Sequence, residues 1–569
     1  MKKQSIKVIM LLAVAGTFAT GCDLLKDVEY TVTPDPLEMH GDSVRVKIDV
    51  TIPEKGINKK AAAEITPMIG DTPLKMVRIQ GEKATGNGDV IAKAGGKVTY
   101  EDIVAYNPGM EAADVNVTGK IYKGEKEKGE IEPTKIADAT IITPYLVNKD
   151  FRVIIAKDMF QRVTEETHFS QINYDKGRSV VKGGELRDDD IKDLQAFLEG
   201  AQTNPKIEVK NINITGYASP EGEEDKNNTL SNDRAESAKV AAMGIAKKAK
   251  HEGAQGEIYN LAGRGEDFAG FKRELEADST MNEDDKNLVI RVLETISDPV
   301  QRETEMRNMG KTFTYLDRNI FPLLRRAEIS VVYDETGFSD EELMTNSVSN
   351  SDTLNLEELL FTATLYTDLN EKLRVYKIAE ERYGAEDYRP SNNIGAVYYM
   401  QNKLNDAKAQ FEKANGIMDN PISKNNLAAI AGAEGDRVKS MELLNQASGA
   451  EQDNNQVNYN KGILNIQNGD YADAVSNFGG EASFNKGLAE LLNDNAASGA
   501  STVDGSADAE SAQGYYLKAV AAARQDKLAD IVSNLKSAIA KDGAYKAKAA
   551  KDREFIKYME NASFTAVVK

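Results

Sequence analysis

Tryptophan is absent from this chain, cysteine occurs once and histidine three times. The histidines, His40, His168 and His251, lie far apart. With a single cysteine, that spacing disfavours zinc sites and Ser–His or Cys–His catalytic pairs. Cations are also short: 71 Lys and Arg face 91 Asp and Glu, a net charge of −20. Phosphate binding needs a cationic excess, so this balance argues against a nucleic-acid partner. Long apolar runs are missing after residue 19. No phosphate-cradling glycine loop, nucleophile with a base or metal-spaced cluster stands out. The run 188–190 (three Asp) lacks the Gly and Glu of a calcium loop and suits a helix N-terminus instead. The chain therefore reads as a binding protein, not an enzyme, with no cofactor and no metal.

What is present is enough apolar material for several cores: 41% of 569 residues. Lys2-Lys3, the apolar run 8–19 and the exit Thr20-Gly21-Cys22 form a signal peptide over residues 1–21. Ala19-Thr20-Gly21-Cys22 resembles the bacterial lipobox. That resemblance implies that Cys22 is the lipidated N-terminus, with palmitate-type acylation and a place on the outer membrane, on its periplasmic side. Residues 22–30 would be the tether. Over 31–143 the signals are β. Val44, Val46, Ile48, Val50 and Ile52 alternate with polar residues, which predicts a half-buried strand. Runs at 76–79, 97–100, 114–122 and 139–142, split by Gly, Pro and Asn/Asp, complete a β-sandwich of immunoglobulin-like type.

The most informative stretch is 212–235. An apolar strand (Ile212, Ile214) runs into Gly216-Tyr217-Ala218-Ser219-Pro220-Glu221-Gly222, then a polar loop with Asn227, then Leu230-Ser231-x-x-Arg234-Ala235. Ser231 is placed to cap a helix opening there, with Arg234 in its first turn. This stretch resembles the centre of the OmpA-like, peptidoglycan-associated domain. In that family an Asp and the Arg of the LSxxRA motif hold the amine and carboxylate of diaminopimelate. Here Arg234 matches, Ser219 stands where the family has Asp, and Glu221 is the candidate substitute carboxylate. A further strand with Gly263-Arg264-Gly265-Glu266 and a closing strand with Arg325-Arg326-Ala327-Glu328-Ile329 also fit. Of that arginine pair, Arg326 is the member the resemblance brings near the ligand. A slip of parity between Val209 and Ile212 predicts a bulge. The domain is assigned 144–335, beginning with the apolar run 151–156 and interrupted by a helical insertion over 267–321. This version resembles one found in envelope lipoproteins of Bacteroidota.

Residues 336–355, rich in Ser and Asn, read as a linker. From 356 to 569 a period near 34 appears. Ile394, Gly395, Tyr398, Ala407, Phe411 and Ala414 form the clearest unit. Others follow at Leu427–Ala447, at Gly462–Phe478 and, after a low-complexity insertion at 496–510, at Ala519–Ala538. A weaker unit precedes them, around Leu360, Tyr376 and Ala379. The spacing resembles tetratricopeptide repeats, about five of them, stacked as an α-solenoid with a concave groove. Asn392, Asn393, Asn425, Asn426, Asn458 and Asn460 are the groove-lining candidates, since Asn can grip an extended peptide backbone. The expected whole is a multidomain α+β envelope lipoprotein. It would bind peptidoglycan through the OmpA-like domain and recruit a protein partner through its repeats. The alternative is an assembly subunit of a surface, fimbrial or secretion complex that no longer binds the wall.

Overall fold

A computed structural model describes residues 24–255, 257–449 and 454–569. The expected signal peptide and Cys22 lie outside the described residues. The chain groups into two compact units: residues 1–157 with 366–569, and residues 158–365. The expected boundaries at 143/144 and 355/356 are therefore displaced, for reasons given below. Among the described residues no helix is long and apolar enough to cross a membrane.

The first unit opens with two β-sheets around one core. In the first, β1 (Glu29–Thr33) and β5 (Gly96–Ala105) flank β2 (Ser43–Ile52). The alternation read in β2 is realised, with Val44, Val46, Ile48, Val50 and Ile52 all buried. In the second sheet, β3 (Ala61–Ile69) lies between β4 (Val77–Gly81) and β6 (Asp114–Lys123), and β7 (Lys126–Asp138) pairs with β6. Strands β3 and β7 were not expected. Three alanines open β3, and β7 is half charged, so neither shows a strand-like pattern until its neighbours bury it. The expected strand at 139–142 is extended chain beyond β7, bonded through Leu37 and Met39.

The second unit carries a four-stranded sheet in the order β8 (Val163–Asn173), β11 (Arg326–Thr336), β9 (Ile207–Ala218), β10 (Tyr259–Glu266). The closing strand β11 inserts antiparallel between β8 and β9, while β9 and β10 run parallel. The predicted bulge is present as a register shift between Val209 and Asn211. Helices α1 (Asp189–Thr203) and α2 (Glu224–Lys248) cover one face through Leu194, Leu198, Ala235, Ala238 and Ala242 against Ile212, Ile214, Ile329 and Val331. Gly216 is required here: a Cβ would stand 2.0 Å from the Ser231 carbonyl oxygen of α2. The insertion forms α3 (Phe268–Ala277), α4 (Glu283–Thr295), α5 (Pro299–Asn308) and α6 (Lys311–Asn319) around their own core of Phe271, Leu275, Val289, Leu316 and Phe321. The stretch read as a linker carries a helix, α7 (Asp340–Ser349), and is followed directly by α8 (Leu356–Leu365). A Ser339/Glu342 capping box starts α7, and Leu343 is buried. That box was legible in the sequence and outweighs the Ser/Asn content.

The chain then returns to the first unit with α9 (Leu369–Tyr383) and five helical hairpins. These pair α10 (Arg389–Met400) with α11 (Leu404–Ile417), α12 (Pro421–Glu434) with α13 (Arg437–Ala447), and α14 (Asn454–Asn468) with α15 (Tyr471–Phe478). They continue with α16 (Phe484–Leu492) and α17 (Ala496–Asp504), then α18 (Ala512–Arg524) and α19 (Leu528–Lys541). The expected low-complexity insertion is corrected: it supplies α17, whose Gly499 and Val503 are buried. Small residues there are what lets the two helices approach. The weaker unit around Leu360 and Tyr376 is split, since Leu360 belongs to the second unit and Tyr376 to the first.

Burial lowers the pKa of all three histidines, and for His168 it outweighs Asp193 and Asp190. His168 stacks on Phe197 at 4.8 Å. A folded-state pKa below the unfolded one means that the unfolded chain takes up protons first as pH falls. Stability is therefore full above the unfolded histidine value of about 6.5 and is lost as pH drops toward the depressed folded values. Melting temperature should fall between pH 7.5 and 5.5. His168→Phe, which keeps the stack, should reduce that fall; an unchanged pH profile in that variant would reject the assignment.

Candidate functional site

Two places combine polar side chains with a defined geometry, one in each unit. The first is an open cleft of about 600 Å³ at the end of β9, lined among others by Lys176, Ser219, Glu221, Asn227, Asp233 and Arg234. The helix beside it starts earlier than expected. Glu223 is its N-cap, and Glu224 and Asp225 occupy its first turn. Their charge suits the positive end of the helix. Ser231 is thus no cap. It lies inside α2, donates to the Asn228 carbonyl at 2.8 Å and accepts from Gly265 N–H at 2.9 Å, pinning α2 to β10.

Arg234 likewise lies inside the helix and is 1% exposed. Its guanidinium donates to three backbone carbonyls: Tyr217 at 2.7 Å, Arg178 at 3.0 Å and Asp175 at 3.2 Å. It also lies over the Tyr174 ring at 5.3 Å. Among the described residues it has no carboxylate partner, and burial lowers its pKa to about 10. Glu221 is the converse case. Its Oε1 accepts from Arg325 at 2.7 Å and 3.1 Å, with Lys176 Nζ at 3.7 Å. Its Oε2 is buried with no hydrogen-bond donor among the described residues. One cation without an anion and one acceptor without a donor line the same cleft.

The other predicted residues brace this cleft or stand apart from it. Asn227 donates to the Ser219 carbonyl at 3.3 Å and to Glu266 at 2.8 Å, and so shapes the 219–222 turn. The Ser219 hydroxyl accepts from Arg325 Nε at 3.3 Å. Arg326 does not line the cleft. It is tied to Asp267 at 2.8 Å and Glu328 at 2.7 Å, over the Tyr217 ring at 4.6 Å. The member of the pair that reaches the cleft residues is Arg325, which was not singled out. Arg325 is the C-cap of the short helix 321–324, just before β11, whereas Arg326 is the first residue of the strand.

The second site is the asparagine-bearing face of the repeats, and it is filled by the chain itself. The run 151–156, expected to open the 144–335 domain, instead threads through the solenoid as extended backbone. Four asparagines each grip one residue of the thread twice, accepting from its N–H and donating to its carbonyl. Asn393 holds Ala156 at 2.7 and 2.9 Å, and Asn426 holds Ile154 at 2.7 and 2.8 Å. Asn460 holds Arg152 at 2.7 and 2.8 Å, and Asn485 holds Asn148 at 2.8 and 2.9 Å. Asn392 and Asn425 add one bond each, to the Ile154 and Arg152 carbonyls, and link neighbouring asparagines. Tyr399 donates to the Phe151 carbonyl at 3.0 Å and Tyr459 to Asp150 at 2.8 Å.

Five of the six predicted groove asparagines therefore touch an extended peptide. Asn458 is half-buried and does not; its neighbour Tyr459 does. Asn485, Tyr399 and Tyr459 were missed. A signal for Asn485 existed. Asn393, Asn460 and Asn485 each precede by two residues a glycine (Gly395, Gly462, Gly487) against which a side chain of the following helix packs: Phe411, Phe478 and Val503. The motif Asn-x-Gly repeats although the period shortens after Asn460.

No family profile matches the chain, and no curated relative matches it. Among solved structures it is similar to a tetratricopeptide repeat protein from Parabacteroides merdae: 17% identity, 40% of this chain, 97% of that one, TM-score 0.26. It is also similar to the APC/C hetero-tetramer Cut9–Hcn1, at 12% identity over 61% of this chain and 74% of that one, with a TM-score of 0.31. A third similarity is to yeast Tom70, at 11% identity, 59% and 78% coverage and a TM-score of 0.25. Scores this low decide nothing by themselves. The repeat architecture rests on the hairpins' own packing and on bonds between equivalent asparagines such as Asn392 and Asn426, 34 residues apart. On that basis the C-terminal region is a tetratricopeptide-like solenoid.

Proposed function

We propose that the protein is a non-enzymatic envelope lipoprotein, lipidated at Cys22 and held at the periplasmic side of the outer membrane. In this reading the β9/α2 cleft takes the zwitterionic end of a diaminopimelate stem in peptidoglycan. Arg234 meets the carboxylate and Glu221 Oε2 meets the ammonium. The repeats provide the surface for a protein partner. What supports the wall contact is the pairing of deficits in one cleft: a buried guanidinium bonded only to carbonyls, and a buried carboxylate oxygen with no donor. A charge-assisted bond to each is worth about 1.5–3 kcal/mol.

The test is co-sedimentation of the full chain with purified peptidoglycan, beside Glu221→Gln and Arg234→Lys. Glu221→Gln should weaken pelleting about tenfold or more, the loss of one charged contact. Competition by free diaminopimelate should reproduce the loss. A second reading, the assembly subunit, is favoured by a different observation: Arg325 already neutralises Glu221 through Oε1. A wild-type chain that stays in the supernatant would select that reading.

A further inference from the structure

We infer that the repeat groove is a backbone-reading peptide site, occupied in cis by residues 148–157, whose ligand is an extended peptide carrying an aromatic, a basic, an aliphatic and a small residue in the order Phe-Arg-x-Ile-x-Ala. This deepens the reading of the repeats as a protein-binding module and is independent of the wall contact.

The order of selection follows from what each part of the thread meets. The Asn393, Asn426 and Asn460 clamps touch only main-chain atoms of the thread, so they fix an extended conformation and accept any sequence, while Asn485 also donates to the Asp150 carboxylate at 2.9 Å. Side-chain choice is made between the clamps. The Phe151 ring lies on Gly432, where a Cβ would come within 2.5 Å of it, so the groove has a notch shaped for an aromatic. The Arg152 guanidinium lies 3.5 Å from the Tyr459 ring centre and pairs with Glu481 at 2.8 Å. That combination of a ring face and a carboxylate selects a planar cation. Ile154 and Ala156 are buried against the hairpins, which asks for an aliphatic and then a small residue.

The thread has the character of a ligand. It belongs to no helix and no sheet, and it is bonded by side chains of the repeats instead of by a neighbouring strand. Lys149, between the Asn148 and Arg152 clamps, and Lys157, just past the last clamp, are exposed. Its covalent connection gives it an effective concentration on the order of millimolar, so a free peptide competes poorly while the chain is intact.

Severing that connection is the test. Protease sites are inserted after Val147 and after Lys157 in the full chain, so that folding is complete before the cut. After cleavage, a labelled synthetic peptide of residues 148–158 should exchange into the groove. The uncut chain should take it up at least about tenfold more weakly. A peptide with Asp in place of the aromatic, or a protein carrying Asn426→Ala, should bind about tenfold more weakly than the matched pair. Three results overturn the proposal: loss of the repeats' helical signal once the thread is cut, which would make it part of the core; no exchange of the cleaved thread; and binding of a scrambled peptide as tight as that of the matched one.

Discussion

Asn426→Ala lowers the stability of the repeat unit by about 3–5 kcal/mol, although it removes one small side chain and no apolar contact. The amide of Asn426 makes four bonds. It accepts from Ile154 N–H and from Asn425, and it donates to the Ile154 carbonyl and to Asn392. Three of the partners keep a second bond: the Ile154 carbonyl retains Asn392, Asn392 Oδ1 retains Ser423 and the Asn425 amide retains the Arg152 carbonyl. Ile154 N–H retains none and stays buried. One orphaned donor costs about 1–3 kcal/mol, and each further bond lost about 0.5–1.5 kcal/mol. The linked asparagines behave as a network, so the loss should spread to the neighbouring clamps. Hydrogen exchange at the Ile154 and Arg152 amides, with a denaturant titration of helicity, measures this. Asn458→Ala, half-buried but not bonded to the thread, is the control and should change stability by less than about 1 kcal/mol. Equal effects from the two substitutions would mean that the ladder does not hold the thread.

Asp267→Ala in the second unit should cost a comparable amount, about 3–4 kcal/mol, by a different route. Asp267 and Arg326 form an ion pair at 2.8 Å with side chains only 8% and 4% exposed. Removing one member strands a charge that folding has already desolvated, a penalty of about 3–5 kcal/mol in other buried pairs. Glu328, still 2.7 Å from Arg326, softens it. The same carboxylate caps α3 by accepting from Gly270 N–H at 2.7 Å, worth about 1 kcal/mol. Asp267→Asn separates the two contributions, because it keeps the cap and discards the charge. Exchange rates of the α3 and β11 amides should rise strongly in Asp267→Ala and by an intermediate amount in Asp267→Asn. A change below about 1 kcal/mol in Asp267→Ala would show that Glu328 suffices.

Much of this architecture was legible along the chain because it is written in local periods. Alternation marked β2, the parity slip marked the bulge in β9, and small/large spacing marked the helical hairpins. Asparagine at equivalent helix positions marked the groove. The errors also have local causes. Ser231 looked like a cap because the preceding polar residues carry no helical stripe, yet the acidic first turn at Glu224 and Asp225 extends the helix to include them. Residues 336–355 looked like a linker because composition hid a capping box. Residues 151–156 looked like the opening of the following domain, since an apolar run does not say what will cover it.

Which groups meet could be settled only by distant parts of the chain. The thread is bound by residues more than 230 positions away, and Asn148 meets Asn485 across 337. Arg325 reaches Glu221 from the helix C-cap before β11, and Arg326, the first residue of that strand, turns to Asp267. Local sequence determined the elements, the glycine notches and the asparagines that can read a backbone. Tertiary structure decided that the backbone they read is the chain's own, and that Arg234 and Glu221 are each left with bonding capacity in one cleft. The reason is physical: periodicity is a property of neighbours in sequence, whereas an unfilled hydrogen bond or an unpaired charge exists only relative to everything that packs around it.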